Sequence, residues 1–111
     1  MTDSIVAEAT ENFVQEIMKS DIYREYDLQK RKLKEQPELF ERVRDFRQKN
    51  FAIQTADTQG DELFDKMEAF ERENEKLREN PLVDSFLGAE LAFCRMMQEV
   101  NVFIMAELDF E

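Results

Sequence analysis

The sequence has no histidine, no tryptophan and a single cysteine, Cys94. Without histidine, a Ser-His-Asp triad, a Cys-His pair and a zinc site of histidine type are all excluded. Carboxylate di-iron bundles go with them, because they need Glu-x-x-His pairs. One thiol cannot close an intrachain disulfide, and Cys94 lies in an apolar helical pattern where a lone cysteine behaves as a small hydrophobe. Glycine and proline occur twice each. That is too few for the turns of an all-β fold or a series of βαβ units, and no glycine-rich phosphate loop is present. No stretch approaches the roughly 18 to 20 consecutive apolar residues of a membrane span, so no membrane insertion is expected. The first ten residues, "MTDSIVAEAT", lack the basic and apolar segments of a signal peptide, and cytoplasm is the expected compartment.

What is present favours helix. Glu, Leu, Ala, Lys, Arg, Met and Gln dominate, all good helix formers, and the expected fold class is all-α. With 111 residues, 42% of them hydrophobic and 37% charged, the chain can fold as one domain over residues 1–111. The net charge of −11 opposes general binding to nucleic acid or anionic membranes. It is unevenly spread: residues 22–50 hold nine Lys/Arg against six Asp/Glu (+3), and residues 51–111 hold five against fifteen (−10). The basic excess centres on "QKRKLK", Gln29 to Lys34. It is short and has no interleaved aromatics, which reads as a solvated helix face; direct nucleic-acid binding is not expected.

Apolar spacing divides the chain into short helix, short helix, long helix, long helix. Asp3 and Ser4 can cap a helix carrying Ile5, Val6, Ala9, Phe13, Val14, Ile17 and Met18 at 3–4 spacing. Ser20-Asp21 opens a second helix with Ile22, Tyr23, Tyr26, Leu28 and Leu33. Pro37 suits the first turn of a third. In that third helix the stripe Leu39, Phe40, Val43, Phe46 and Phe51 and the stripe Leu63, Phe64, Met67, Phe70 and Leu77 are out of phase by roughly 120–130°. The phase changes within "TADTQGDE", so a kink or short interruption is expected near residues 55–61, with one continuous helix as the alternative. Asn80-Pro81 ends this element and starts the last. The two long helices are expected to form an antiparallel hairpin.

The last helix is apolar over roughly 200° of its circumference, where a surface helix needs about 100° or slightly more. Glu90 and Asn101 are set within that arc, about 20° apart. Either would cost a few kcal/mol if buried without a partner, and both fit a role in fixing helix register. Such a helix is either a central one packed by its own three neighbours or, as the preferred reading, one whose first side meets the chain's own helices and whose other side meets a second chain. Phe86, Glu90, Phe93, Cys94, Met97, Val100, Asn101 and Ile104 are the interface residues this predicts, in an oligomeric bundle that is a dimer or higher.

No catalytic, cofactor-binding or metal-binding residues are assigned. One acidic pattern offers an alternative. All-α nucleotide pyrophosphatases of the MazG type hold magnesium with Glu-x-x-Glu followed by Glu-x-x-Asp, and Glu38/Glu41 with Glu62/Asp65 occur in that order. Yet Glu38 and Glu41 point away from the Leu39/Phe40/Val43 stripe, and Glu62 and Asp65 away from Leu63/Phe64/Met67. A buried magnesium cage needs them on the inward side, so this stays the alternative reading.

The last helix and the elements before it resemble the YlbF/YmcA family of small helical bacterial proteins. The likeness rests on "NPLVDSFLGAELAF" with its Ala89-Glu90 pair and on "LAFCRMMQEVNVFI" with Gln98-Glu99-Val100-Asn101. Upstream it rests on "IMKSDIYREYDLQKRKL", "QPELFERVRDF" and the break at "TQGDEL". It covers about residues 5–108. The resemblance implies an all-α fold that forms dimers or higher oligomers, and a non-enzymatic adaptor role in competence, sporulation and biofilm formation. Its implied partners are other family members and the membrane-bound endoribonuclease RNase Y. Certain members carry clustered cysteines connected with an iron–sulfur cluster; with Cys94 alone this chain offers poor ligation, and no cofactor is carried over. Gln36 stands where an acidic residue usually precedes the Pro-Glu, which weakens a helix cap.

Overall fold

The computed structural model describes residues 3–57 and 59–109. They form five helices, α1 (Ser4–Lys19), α2 (Asp21–Lys34), α3 (Pro37–Thr55), α4 (Asp61–Glu79) and α5 (Pro81–Glu107). No strand occurs among the described residues.

Local chemistry explains the boundaries. The Asp3 carboxylate accepts from the N–H groups of Ile5 (3.0 Å) and Val6 (3.3 Å) and starts α1. Ser20 serves two helices. Its hydroxyl donates to the Ile17 carbonyl at 2.6 Å, closing α1, and accepts from the Tyr23 N–H at 3.2 Å, opening α2. Asn80 repeats the device for α5, its side-chain oxygen accepting from Leu82 (3.0 Å) and Val83 (3.4 Å). Such caps satisfy otherwise orphaned helix N–H groups and contribute about 1 kcal/mol each. Gln36, by contrast, makes no side-chain cap bond, and α3 relies on Pro37 in its first turn.

The third expected helix is interrupted. Helix stops at Thr55 and resumes at Asp61, with Gly60 at φ 67 and ψ −137, a backbone region open almost only to glycine. The outcome is five helices rather than four, and α3 and α4 pack against each other. Part of the two out-of-phase stripes meets across the turn, while Phe64 and Met67 stay exposed. Phe46 stacks on Phe70 with ring centroids 5.0 Å apart, and the Arg78 guanidinium lies 5.8 Å over the Phe46 ring.

The chain divides into two compact units, Arg31–Phe86 and Met1–Lys30 with Leu87–Glu111, so that α2 and α5 contribute to both. The first unit holds the apolar core: Leu33, Leu39, Val43, Phe70, Leu77, Val83 and Phe86 are all buried. At roughly 1.5–3 kcal/mol for each large side chain removed from water, this cluster dominates its stability. Arg47 lies 5.1 Å over the Phe86 ring, covering it on one side.

The other unit is differently built. Ala89 and Gln29 are its buried residues among those described, and α1 buries none. Its centre is aromatic and half-buried. Tyr26 stacks flat on Phe93 at 5.1 Å and Tyr23 meets the same ring edge-on at 5.5 Å. Lys30 lies 5.7 Å over Tyr26.

Candidate interaction surface

Along α5 two 3–4 repeats run side by side, one residue out of step. The first is Phe86, Glu90, Phe93, Met97, Val100 and Ile104. The second is Leu91, Cys94, Gln98, Asn101 and Met105, continued by Leu108 in the turn just after the helix. An offset of one residue is about 100° around the helix, so these are two seams on adjacent faces.

The inner seam is used by the chain itself. Phe86 is 1% exposed and lies in the core of the Arg31–Phe86 unit. Glu90, Phe93, Met97 and Val100 are half-buried, with Phe93 against Tyr23 and Tyr26. Ile104, at the C-terminal end, is exposed. Beside this end Phe13 of α1, with Met96, Val100, Phe103 and Ile104, lines an open apolar groove of about 510 Å³ that has Glu99 at its edge.

The outer seam faces water. Leu91, Met105 and Leu108 are exposed, Leu108 by 72%. Cys94, Gln98 and Asn101 are exposed as well. The eight residues expected at an interface are therefore split between the two seams. Phe86, Glu90, Phe93, Met97, Val100 and Ile104 lie on the inner one, and Cys94 and Asn101 on the outer. Leu91, Gln98, Met105 and Leu108, which share the outer seam, are not among the eight, because the wide arc reads as one patch. Dividing it into two repeats, one step apart, is the signal that finds them.

Exposed apolar side chains also crowd α1, where Ile5, Val6, Phe13, Val14 and Met18 all face solvent. Scattered single residues of this kind need no explanation, whereas contiguous ones on neighbouring helix faces mark interaction sites.

Charged groups show no comparable convergence. Among the described residues no group of three or more His, Cys, Asp or Glu is placed to hold a metal ion. Glu41 pairs with Arg44 at 3.2 Å and Glu62 with Lys66 at 3.7 Å, each along its own helix. Glu68 and Arg72 pair in the same way. In the basic run, Lys34 lies 5.9 Å over the Phe40 ring and Lys30 over Tyr26, contacts that use the cations within their own units. No helix among the described residues is long and apolar enough to cross a membrane.

Comparison with known proteins gives a consistent result. Residues 6–109 match the family model described as control of competence regulator ComK, YlbF/YmcA. The chain is also 32% identical over 100 residues to the UPF0342 protein DSY2926 of Desulfitobacterium hafniense (strain Y51), covering 89% of this chain and 81% of that one. No solved structure matches.

Proposed function

The chain belongs to the YlbF/YmcA family, whose description is control of a competence regulator, and on that premise we propose that it is a non-enzymatic regulatory adaptor. It works by assembling, with copies of itself and with other proteins, through the apolar faces of α1 and α5. The observation that carries this reading is the contrast between the two units. The Arg31–Phe86 unit buries its large apolar residues, while α1 buries none and the outer side of α5 is exposed from Leu91 to Leu108. Apolar surface of this extent is stabilised by association, since each large side chain covered is worth roughly 1.5–3 kcal/mol.

The family match spans both units, which supports treating residues 1–111 as one functional domain. The implied guests are other family members and an endoribonuclease complex of RNase Y type, acting in the cytoplasm on competence, sporulation or biofilm formation. Light scattering after size-exclusion chromatography tests the assembly. A mass of two or more 13.3 kDa chains is expected at micromolar concentration, and a monomer there would refute it. For the guests, the tagged chain is expected to co-purify the nuclease from its native cell, and a Phe103→Asp variant to recover much less. Equal recovery by both would place the guest elsewhere.

A further inference from the structure

We infer that the outer seam of α5 pairs with the same seam of a second copy, antiparallel, in one register. This deepens the adaptor reading and rests on its claim of self-assembly.

The spacing is the first reason. From Leu91 to Leu108 the steps run 3, 4, 3, 4, 3, a palindrome, so the seam superposes on its own reversal about a two-fold axis between Gln98 and Asn101. Reversal sets Leu91 against the partner's Leu108 and Cys94 against the partner's Met105. It also sets Gln98 against the partner's Asn101, twice by symmetry, as an isologous contact requires. Apolar residues meet apolar residues at both ends, and amide meets amide at the centre. The two amides can exchange N–H···O bonds, so neither enters the contact unsatisfied. Sliding the partner to the neighbouring antiparallel register, with Leu87 included, puts Leu91 against the partner's Asn101 and Cys94 against its Gln98. That register buries amides against apolar groups and is disfavoured.

Charge supplies the second reason. A parallel pair would bring the acidic final turns together, Glu107 and Asp109 beside their own copies in a chain that already carries a net −11. Antiparallel pairing separates those turns from their own copies, placing them at the level of the partner's Glu90 to Ala92 with Arg95 about one turn further on, and opposes the helix dipoles. The seam spans about two and a half heptads, short for a free-standing coiled coil. It does not have to nucleate a helix, because α5 is already formed and held along its inner face by Phe86, Phe93 and Met97.

The lone native thiol reports the register. In the proposed pair, Cys94 and its copy are separated by about 16 Å along the axis, far beyond disulfide reach. Cys94 and the partner's residue 105 share a layer. Copper-phenanthroline oxidation of the full chain, read on a non-reducing gel, makes the test. Unaltered protein is expected to stay uncrosslinked, Met105→Cys to become mostly covalent dimer, and Met105→Cys combined with Cys94→Ser to stay uncrosslinked. Crosslinking of the unaltered chain through Cys94, or of the combined variant, would mean parallel pairing or a slipped register, and either overturns the inference. So would a two-chain mass by light scattering with no crosslink in Met105→Cys, since the dimer would then use another face. A monomeric mass would refute self-assembly itself, a separate failure from a wrong register.

Discussion

At the scale of single residues, stability is sensitive at the turns and caps. Gly60 has φ 67, and a Cβ built there meets nothing within 4 Å. Gly60→Ala should therefore cost only the backbone strain, about 1–2 kcal/mol, seen as a lower denaturation midpoint in urea. An unchanged midpoint would mean that the α3–α4 turn relaxes without loss. Asn80→Ala removes the acceptor for Leu82 and Val83 and should destabilise by about 1 kcal/mol, whereas Asn80→Ser should restore most of that. Features of this kind were legible in the sequence. The caps at Asp3 and Ser20 and the boundary at Asn80 could be read in advance, because a cap is a contact between a side chain and N–H groups two or three residues away. Nothing distant decides it.

Helices show where that legibility stops. The phase jump between the Val43 and Phe70 stripes announced a break, since apolar positions cannot serve one face when they are a third of a turn apart. It did not announce that the chain folds back there, because periodicity gives a direction around an axis and says nothing of what lies in that direction. The same limit hid which apolar positions of α5 are covered: Phe86 and Phe103 are equivalent as apolar helix positions, yet one is 1% and the other 65% exposed. Their substitutions should separate two properties. Phe86→Ala leaves a cavity beneath the Arg47 guanidinium and should cost about 3–5 kcal/mol in stability. Phe103→Ala should shift stability by less than about 0.5 kcal/mol and leave self-association by sedimentation equilibrium unchanged, while lowering the recovery of partner proteins in a pull-down. Equal losses of stability in the two variants would show that Phe103 is packed within its own chain.

For the molecule as an assembly, the two amides of the outer seam decide what kind of contact it makes. Asn101 and Gln98 are exposed in the single chain, so neither supports its fold, and Asn101→Leu should leave the melting temperature measured under dilute, monomeric conditions unchanged. Association is another matter. With Leu at 101, the partner's Gln98 loses its acceptor and donor at two symmetric positions, and each amide buried without a partner costs about 1–3 kcal/mol. The dimer should therefore weaken by at least tenfold in Kd. Replacing both, Gln98→Leu with Asn101→Leu, removes the unsatisfied groups and extends the apolar seam, so affinity should return to or exceed that of the unaltered chain. What the double variant should lose is uniqueness. With no amide layer to penalise a slipped alignment, it should populate several registers or larger oligomers, seen as a broadened mass distribution. The decisive quantity is the non-additivity of the two substitutions. If each single change weakens association and the pair restores it, the amides touch across the contact. If their effects simply add, Gln98 and Asn101 face water in the assembled protein, and the two-fold axis does not lie between them.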